Sequence, residues 1–194
     1  MIKLEYYPQV EKYVIDTFTK NGDEGGIPHL LKTVEFVKFL KPDADEALLI
    51  SAIAHDIERG SNSKKPLNEI KKTGFTGEDH LKYHQEEGAR ITAEFLRSIG
   101  AQERLIERVY MLISKHEVGG NSDQNLLKDA DSMSFFETNV EHFVTKKVHE
   151  YGYQKVKEKL DWMFNRITDD SAKVLVQDKY ENAMTILHVH SKDK

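Results

Sequence analysis

The 194-residue chain contains no cysteine and only four prolines. Without thiols it can form neither a disulfide nor a thiolate zinc site. It also lacks a Gly-x-Ser-x-Gly nucleophile motif, a hydrophobic run long enough to cross a bilayer, and a signal-peptide-like segment after Met1. These absences argue against a cysteine or serine nucleophile, and we expect a cytoplasmic protein that makes no membrane contact.

The chain also has no excess of positive charge. Its 28 Lys and Arg residues stand against 33 Asp and Glu residues, which gives a net charge of −5. This balance argues against a general binder of nucleic-acid polymers, which is typically basic. The proportions of charged (31%) and hydrophobic (39%) residues are those of an ordinary globular protein, large enough for one domain with a sizeable core.

Alternating β-branched segments are nearly absent, whereas apolar residues recur at helical spacing throughout the sequence. We therefore predict one all-α domain over residues 1–194, without a linker or an internal repeat. The predicted helices cover 6–20, 28–40, 43 or 45 to 56, 79–98, 101–116, 123–136, 138–150, 153–167 and 171–188, and a short helix is expected around 67–72.

The predicted third helix is apolar on all sides up to its last two residues, His55 and Asp56. A helix of this kind is expected to be buried. A buried carboxylate beside an imidazole requires a charge partner. Imidazole and carboxylate ligands together suit Fe, Mn, Co, Ni, Mg or Zn, so the pair predicts part of a metal site.

Three further histidines, His29, His84 and His116, each fall on the inward-facing apolar stripe of a predicted helix. A single histidine in such a place is usually a core residue that is hydrogen-bonded to a carbonyl group. Three helices that each place an imidazole in an apolar stripe are not explained by packing alone. We therefore treat all three as candidate ligands.

The acidic partner must be either Asp129 or Asp131, because residues two apart on a helix point about 200° apart and cannot both face one ion. Asp131 is flanked at i−4 and i+4 by Leu127 and Phe135, whereas Asp129 has one polar and one apolar neighbour at these spacings. The apolar surroundings favour Asp131, and we expect Asp129 to lie at the rim.

The order His29, His55-Asp56, Asp131 resembles the H…HD…D pattern of the HD superfamily of metal-dependent phosphohydrolases. The resemblance covers about residues 27–136. It implies a helical bundle of the HD-domain type in which these four residues hold a divalent metal ion. The predicted helices over 138–188 lie outside it, as extra C-terminal helices that pack on the motif core and either cover the cleft or form a dimer face.

Some branches of this superfamily hold two metal ions through two further histidines. His84, four residues before a Gly-Ala pair, resembles the first of these, and His116, before a glutamate, resembles the second. The resemblance implies that Asp56 would then bridge the ions. The cyclic-dinucleotide phosphodiesterases carry Gly-Tyr-Pro after this His-Glu pair, but this chain has Val118-Gly119-Gly120, so that substrate is not expected.

The resemblance implies a phosphohydrolase that cleaves a phosphomonoester or nucleotide with water activated by one or two divalent metal ions. Asp56 and Arg59 are the predicted catalytic residues, and Arg59 and Lys115 are predicted to bind the substrate, although either cation could instead be a surface residue. Glu58 and Glu117 could orient water, but we expect them to be structural or exposed. The expected partner is a small phosphorylated molecule, and the sequence leaves open whether the protein forms a homodimer.

Two other functions remain open: a di-iron oxygenase on the same scaffold, and a non-catalytic regulator that binds metal or nucleotide. The remaining histidines are expected at the surface or in a frayed terminus: His80, His142, His149, His188 and His190. The loop after Gly60 is basic, which is typical of a solvated surface but also fits a lid over an anionic substrate. Its lysines are Lys64, Lys65, Lys71 and Lys72.

Overall fold

The computed structural model describes residues 4–61 and 74–192, with side chains described up to residue 189. In these residues all regular structure is helical. A 3₁₀ turn covers Glu24–Gly26, and a π-helical turn covers Phe143–Lys147. The α-helices are α1 (Tyr7–Lys20), α2 (Ile27–Leu40), α3 (Glu46–Ala54), α4 (Ile57–Gly60), α5 (Glu78–Ser98), α6 (Glu103–Ile113), α7 (Ser122–Thr138), α8 (Val140–His142), α9 (Val148–Tyr151), α10 (Tyr153–Asn165) and α11 (Asp170–Lys192).

The all-α prediction is therefore confirmed for the described part of the chain. The predicted third helix ends at Ala54, two residues early, and the helix predicted near 138–150 is interrupted by the π-helical turn. The short helix expected around 67–72, the four lysines of the basic loop and the side chain of His190 lie outside the described residues.

Local sequence signals explain where the main helices begin. Asp45, rather than Asp43, caps α3, since its Oδ1 accepts a hydrogen bond of 2.9 Å from the backbone N–H of Leu48. Asn121 and Gln124 form a reciprocal capping box at the start of α7, with bonds of 3.0 and 2.9 Å. Pro28 occupies the first turn of α2, where a backbone N–H would have no acceptor within the helix, so the N–H that proline lacks is not needed.

The first hydrophobic core forms around α3, whose Leu48, Ile50 and Ile53 are fully buried. Helix α3 contacts α1, α2 and α6, while α5 packs on α6, and α2 lies along α7. The uniformly apolar sequence of α3 is thus explained by its central position.

The second hydrophobic core joins the C-terminal half of α7 to the last helices, with Phe136, Leu160 and Val176 among its buried residues. Phe36 and Leu40 on α2 pack against both cores, so the described chain forms one compact unit. No helix in the described ranges combines the length and apolar character that crossing a membrane requires.

Candidate metal centre

All six predicted metal ligands are buried and come together between the helices of the first core. They form two adjacent groups, and within each group one ligand atom per residue lies within 4.8 Å of the others. The first triad consists of His29, His55 and Asp131, and the second triad of Asp56, His84 and His116.

In the first triad, the Nε2 atoms of two imidazoles converge on one carboxylate oxygen. Asp131 Oδ1 lies 3.0 Å from His29 Nε2 and 3.5 Å from His55 Nε2. The two Nε2 atoms are 3.2 Å apart. Three potential metal-ligand atoms, two nitrogens and one oxygen, therefore face a single point.

The second triad is centred on Asp56, whose Oδ1 lies 2.8 Å from His84 Nε2 and 3.9 Å from His116 Nε2. The same carboxylate also faces the first triad. Its Oδ1 is 3.7 Å from His55 Nε2, and its Oδ2 is 4.0 Å from His29 Nε2. Asp56 thus lies between the two sets of ligands.

A break in the helix allows the neighbours His55 and Asp56 to serve the same site. On a continuous helix their side chains would diverge by about 100°. Because α3 ends at Ala54 and Asp56 adopts φ −100° and ψ 14° before α4 begins, both side chains turn toward the cluster.

Helix α5 carries His84 and approaches this break closely at Gly88, one turn further along. A Cβ atom at position 88 would lie only 3.1 Å from the carbonyl oxygen of His55. The absence of a side chain at this position therefore permits the approach that places His84 beside Asp56.

Two of the histidines are oriented by backbone carbonyl groups. His55 Nδ1 lies 2.9 Å from the Ala52 oxygen, and His116 Nδ1 lies 2.7 Å from the Ile113 oxygen. A carbonyl oxygen only accepts, so each Nδ1 must donate its proton, which leaves the lone pair of the neutral ring on Nε2.

The other two histidines are oriented by side chains. The Ser134 hydroxyl donates to the His29 carbonyl oxygen at 2.7 Å, so the same hydroxyl oxygen accepts from His29 Nδ1 at 2.9 Å. Glu58 Oε2 accepts from His84 Nδ1 at 3.1 Å. With Nδ1 engaged in this way, all four rings present Nε2 toward the carboxylates of Asp56 and Asp131, and each Nε2 becomes available to a metal ion when the ring is neutral.

With neutral histidine rings, the cluster would consist largely of acceptor atoms that face one another, an arrangement that fits a bound cation. Within the described chain, His116 Nε2 is buried and has no hydrogen-bond partner, and a neutral His29 and His55 would place two lone pairs 3.2 Å apart. Buried polar atoms are rarely left in this state. The residues present fit a divalent metal ion bound by nitrogen and oxygen, and the buried clusters can hold one.

The electrostatics keep the carboxylates ionised. Burial alone would raise the pKa of Asp56, but Arg59 and then His55 hold it well below its usual range. Burial alone would lower the pKa of His55, but Asp56 and then Asp131 raise it to about 9. Burial lowers the pKa of His116 to about 4, so this ring is neutral near pH 7.

Arg166, at the end of α10, belongs to the site although sequence analysis did not find it. Its guanidinium forms ion pairs with Glu117 and with Asp131 Oδ2, and donates to Ser132 Oγ at 2.7 Å. The group also lies 4.3 Å from the centre of the Trp162 ring. Asp131 is therefore held from outside by an arginine while its other oxygen faces the histidines.

Lys159, also on α10, is the second functional candidate that was missed. It is buried, lines the cavity beside the triads, and places Nζ 4.6 Å from the centre of the Trp162 ring. Burial lowers its pKa to about 8. Lys159 and Arg166 are seven residues apart, which is two helical turns, and this shared face was a usable signal in the sequence.

The two predicted substrate-binding cations lie in different places. Arg59 adjoins the site, with Nε 3.0 Å from Asp56 Oδ2, and its side chain is 41% exposed. Lys115 is exposed and lines a separate surface depression with Lys82 and Gln85. The structure does not bring Lys115 together with the metal ligands, and its role in substrate binding stays a prediction.

Asp129 is buried rather than at the rim, and it performs a structural task. Its carboxylate accepts hydrogen bonds from the backbone N–H of Thr168 at 3.0 Å and of Asp169 at 2.8 Å, just before α11 begins. Asp129 therefore fixes the last helix, while Asp131 faces the histidines.

The exposed position predicted for His80 is wrong. Its ring is buried parallel to that of His84, with centroids 6.3 Å apart, because the first turn of α5 also packs beside the site. Glu58 and Glu117 are buried as well. The surface positions predicted for His142, His149 and His188 are confirmed.

Two cavities meet at the triads. The smaller, of about 30 Å³, is lined by His29, Asp56, Arg59, Asp131 and Lys159 among others. The larger, of about 370 Å³, shares the first three of these residues as well as Asn139 and Phe143, and extends toward Phe18 and Leu30.

Fold and site together define an all-helical protein with a buried His/Asp cluster that can hold a metal ion. The chain belongs to the family described as "Domain of unknown function (DUF4202)", whose model matches residues 19–187. Neither the comparison with curated proteins nor the comparison with solved structures gave a match. The family match includes α10 and α11, so the cations from α10 lie inside the family's span.

Proposed function

We propose that this protein is a divalent-metal-dependent phosphohydrolase with an HD-type helical bundle, and that it cleaves a phosphomonoester or nucleotide. One observation supports this above all: four imidazole Nε2 atoms from separate segments converge on two ionised carboxylates. The order of these six ligands resembles that of the HD phosphohydrolases, which supports the choice of reaction.

His29, His55 and Asp131 would hold one metal ion, and His84 and His116 a second, with Asp56 between them. When bound, such ions lower the pKa of coordinated water to about 7 and neutralise the charge of a phosphoryl group. The chain contributes fixed ligand directions, since every Nδ1 atom is held by a hydrogen bond to a carbonyl, hydroxyl or carboxylate oxygen.

Arg59 is the residue best placed to bind phosphoryl oxygens. It lines both cavities, and its guanidinium borders the second triad through Asp56 and reaches within 3.9 Å of Glu117. Only Nε lies within hydrogen-bond distance of Asp56, and the contact with Glu117 is longer, at 3.9 Å. The terminal N–H groups of the guanidinium are therefore suited to bidentate contact with phosphate.

The larger cavity fits the organic part of the substrate. Its volume of about 370 Å³ is in the range of small-molecule sites. Phe18, Leu30 and Phe143 supply apolar surface, and Asn139 supplies hydrogen-bonding groups. A sugar, a nucleoside or another small alcohol could occupy this space while its phosphate faces the triads.

The decisive experiment combines elemental analysis with an activity screen. Protein purified without chelator should contain one or two divalent ions per chain, and should release phosphate from at least one member of a panel of phosphomonoesters and nucleotides. Asp56→Asn should abolish both bound metal at the second triad and turnover. Asp16→Asn, on the exposed face of α1, is the matched control and should change neither. Metal-replete protein with no turnover on any phosphoester would contradict the proposal.

Two adjacent triads of nitrogen and oxygen donors also suit two iron ions, which favours a di-iron oxygenase as the second candidate. Two irons per chain, visible absorbance and substrate-dependent oxygen uptake would support that function instead. Bound metal without either activity would indicate a regulator that binds metal or nucleotide.

A further inference from the structure

Lys159 places a buried ammonium group against the small cavity. The residue is 7% exposed, and Nζ lies 4.6 Å from the Trp162 ring centre and 5.8 Å from that of Phe135. Within residues 4–61 and 74–192, Nζ makes neither a hydrogen bond nor an ion pair within 4.0 Å. A lysine that is nine-tenths buried and points into a cavity without an anionic partner indicates a place for a ligand anion.

Glu117 and Asp131 attract the ammonium group electrostatically, but neither forms an ion pair with Nζ within 4.0 Å, and both are paired with Arg166. The aromatic faces of Trp162 and Phe135 offset part of the cost of burying the ammonium group. They supply no negative charge that could direct its N–H donors.

The balance of charge points to an anion once metal is bound. Among the described residues of the cluster, four carboxylates (Asp56, Glu58, Glu117 and Asp131) face three cations (Arg59, Lys159 and Arg166), which leaves a net charge of −1 with neutral histidines. One divalent ion makes the cluster positive, and a second makes it more so. With two divalent ions bound the net charge of these groups is +3, and a phosphate dianion would lower it to +1.

The sizes of the cavities limit the number of organic substituents that this anion can have. The small cavity, about 30 Å³, has room for little more than one water-sized group. The large cavity, about 370 Å³, meets it at His29, Asp56 and Arg59. A phosphoryl group at this junction can therefore extend one substituent into the large cavity, but a second organic substituent would not fit on the side of Lys159.

We propose that Lys159 and Arg59 together bind the terminal phosphate of a phosphomonoester, and that this phosphate site excludes phosphodiesters. The assignment rests on the proposed function for its reaction, but the phosphate site can be tested by binding alone. Arg59 approaches from the exposed side of the junction and Lys159 from its buried end.

The first test measures inorganic phosphate binding to the metal-loaded protein by calorimetry. Lys159→Met keeps the aliphatic stem on Trp162 but removes the charge, and should weaken phosphate binding about tenfold to a hundredfold. Lys159→Arg should restore most of the affinity. Lys157→Met removes a charge from a half-buried ion pair with Asp161 on the same helix, and this variant should bind phosphate like the unmodified protein.

Metal content and circular dichroism of each variant separate a binding role from a structural one. Unchanged phosphate affinity in a folded, metal-replete Lys159→Met variant would overturn the assignment, and so would a loss of metal equal to the loss of phosphate. If Lys159→Met does not fold, Lys159→Gln takes its place.

The second test needs no variant. Inorganic phosphate and phenyl phosphate should compete for one site on the unmodified protein, and dimethyl phosphate should not displace either of them. Equal binding of the diester would overturn the proposed exclusion. If phosphate binding depends on Lys159 but the protein has no hydrolase activity, the proposed function is wrong and the phosphate site stands. If the protein hydrolyses phosphomonoesters but phosphate binding does not depend on Lys159, the phosphate site is wrong and the proposed function stands.

Discussion

Each of the four candidate histidine ligands depends on a hydrogen bond made by the other nitrogen of its ring. His29 depends on the Ser134 hydroxyl, which bridges its Nδ1 atom and its carbonyl oxygen. Ser134→Ala should weaken metal binding about tenfold to a hundredfold, as expected for loss of a group that orients a ligand. The measurement is a metal titration of chelator-treated protein. Ser51→Ala is the control, since the buried Ser51 hydroxyl bonds only to the Ala47 oxygen on its own helix. Equal metal affinities in the two variants would contradict the prediction.

Protons and metal ions should compete for His55. Asp56 and Asp131 overcome the effect of burial and raise the pKa of His55 from 6.5 to about 9, so the metal-free ring is protonated at pH 7. This charge stabilises the metal-free fold fully below pH 6.5, and the contribution is lost as the pH rises through 9. A bound metal must displace the proton.

The apparent dissociation constant for Mn²⁺ should therefore fall about tenfold per pH unit from neutrality and level off near the pKa of His55. Calorimetry in buffers of different ionisation enthalpy would count the released protons. A dissociation constant independent of pH between 7 and 8.5 would count against this competition.

The sequence allowed the histidines of the buried cluster to be predicted because imidazole is out of place in an apolar stripe. The same reasoning considers one helix at a time, so it did not find Lys159 and Arg166. Their spacing places both on one face of α10, but the partners of that face are defined only where α10 packs beside α7 and Arg166 meets Asp131. It also placed His80 at the surface, because the packing around a helix start is not visible in the periodicity of that helix.

At the scale of elements, helix α7 carries two aspartates with separate tasks. Asp129 holds the backbone N–H groups of Thr168 and Asp169, whereas Asp131 faces His29. Asp129→Ala should lower the free energy of unfolding by about 1–3 kcal/mol, because it leaves these N–H groups without their acceptor. For a chain of this length, each kcal/mol corresponds to a fall in Tm of about 2–4 °C.

Metal affinity should be unchanged in Asp129→Ala. Asp131→Asn is the matched comparison and should lose metal affinity, because it removes a ligand charge from the first triad. Thermal unfolding with and without metal measures both effects. The assignment of the two tasks would fail if Asp129→Ala lost metal and Asp131→Asn retained it.

Helix ends were the least predictable elements, and two of them place ligands. Sequence periodicity extended the predicted helices through Asp56 and His116, but α3 ends at Ala54 and α6 at Ile113. Beyond Ile113 the chain continues in tight turns, with the His116 N–H bonded to the Ile113 oxygen at 3.2 Å. Such turns keep His116 near the inward direction of the stripe, so it lies in the buried cluster as expected although the predicted helix boundary was wrong.

At the scale of the whole molecule, Arg166 connects the two hydrophobic cores. It extends from α10, which packs in the second core, to Glu117 after α6 and to Asp131 and Ser132 on α7. Its side chain is 6% exposed, so these ion pairs are shielded from water. Removal of one partner from a buried ion pair leaves the other charge uncompensated and costs about 3–5 kcal/mol.

Arg166→Gln should therefore lower the free energy of unfolding of the metal-free protein by about 3–5 kcal/mol, as measured by urea denaturation. Arg108→Gln is the matched control, because Arg108 also bridges two carboxylates, Asp45 and Asp123, but its side chain is 33% exposed. The control should lose about 1 kcal/mol or less. Saturating metal should restore part of the stability that Arg166→Gln loses, because a cation at the first triad again neutralises Asp131. It should not reduce the difference in stability between Arg108→Gln and the unmodified protein. Equal losses in the two variants, with equal responses to metal, would mean that the C-terminal helices stabilise the fold without taking part in the site.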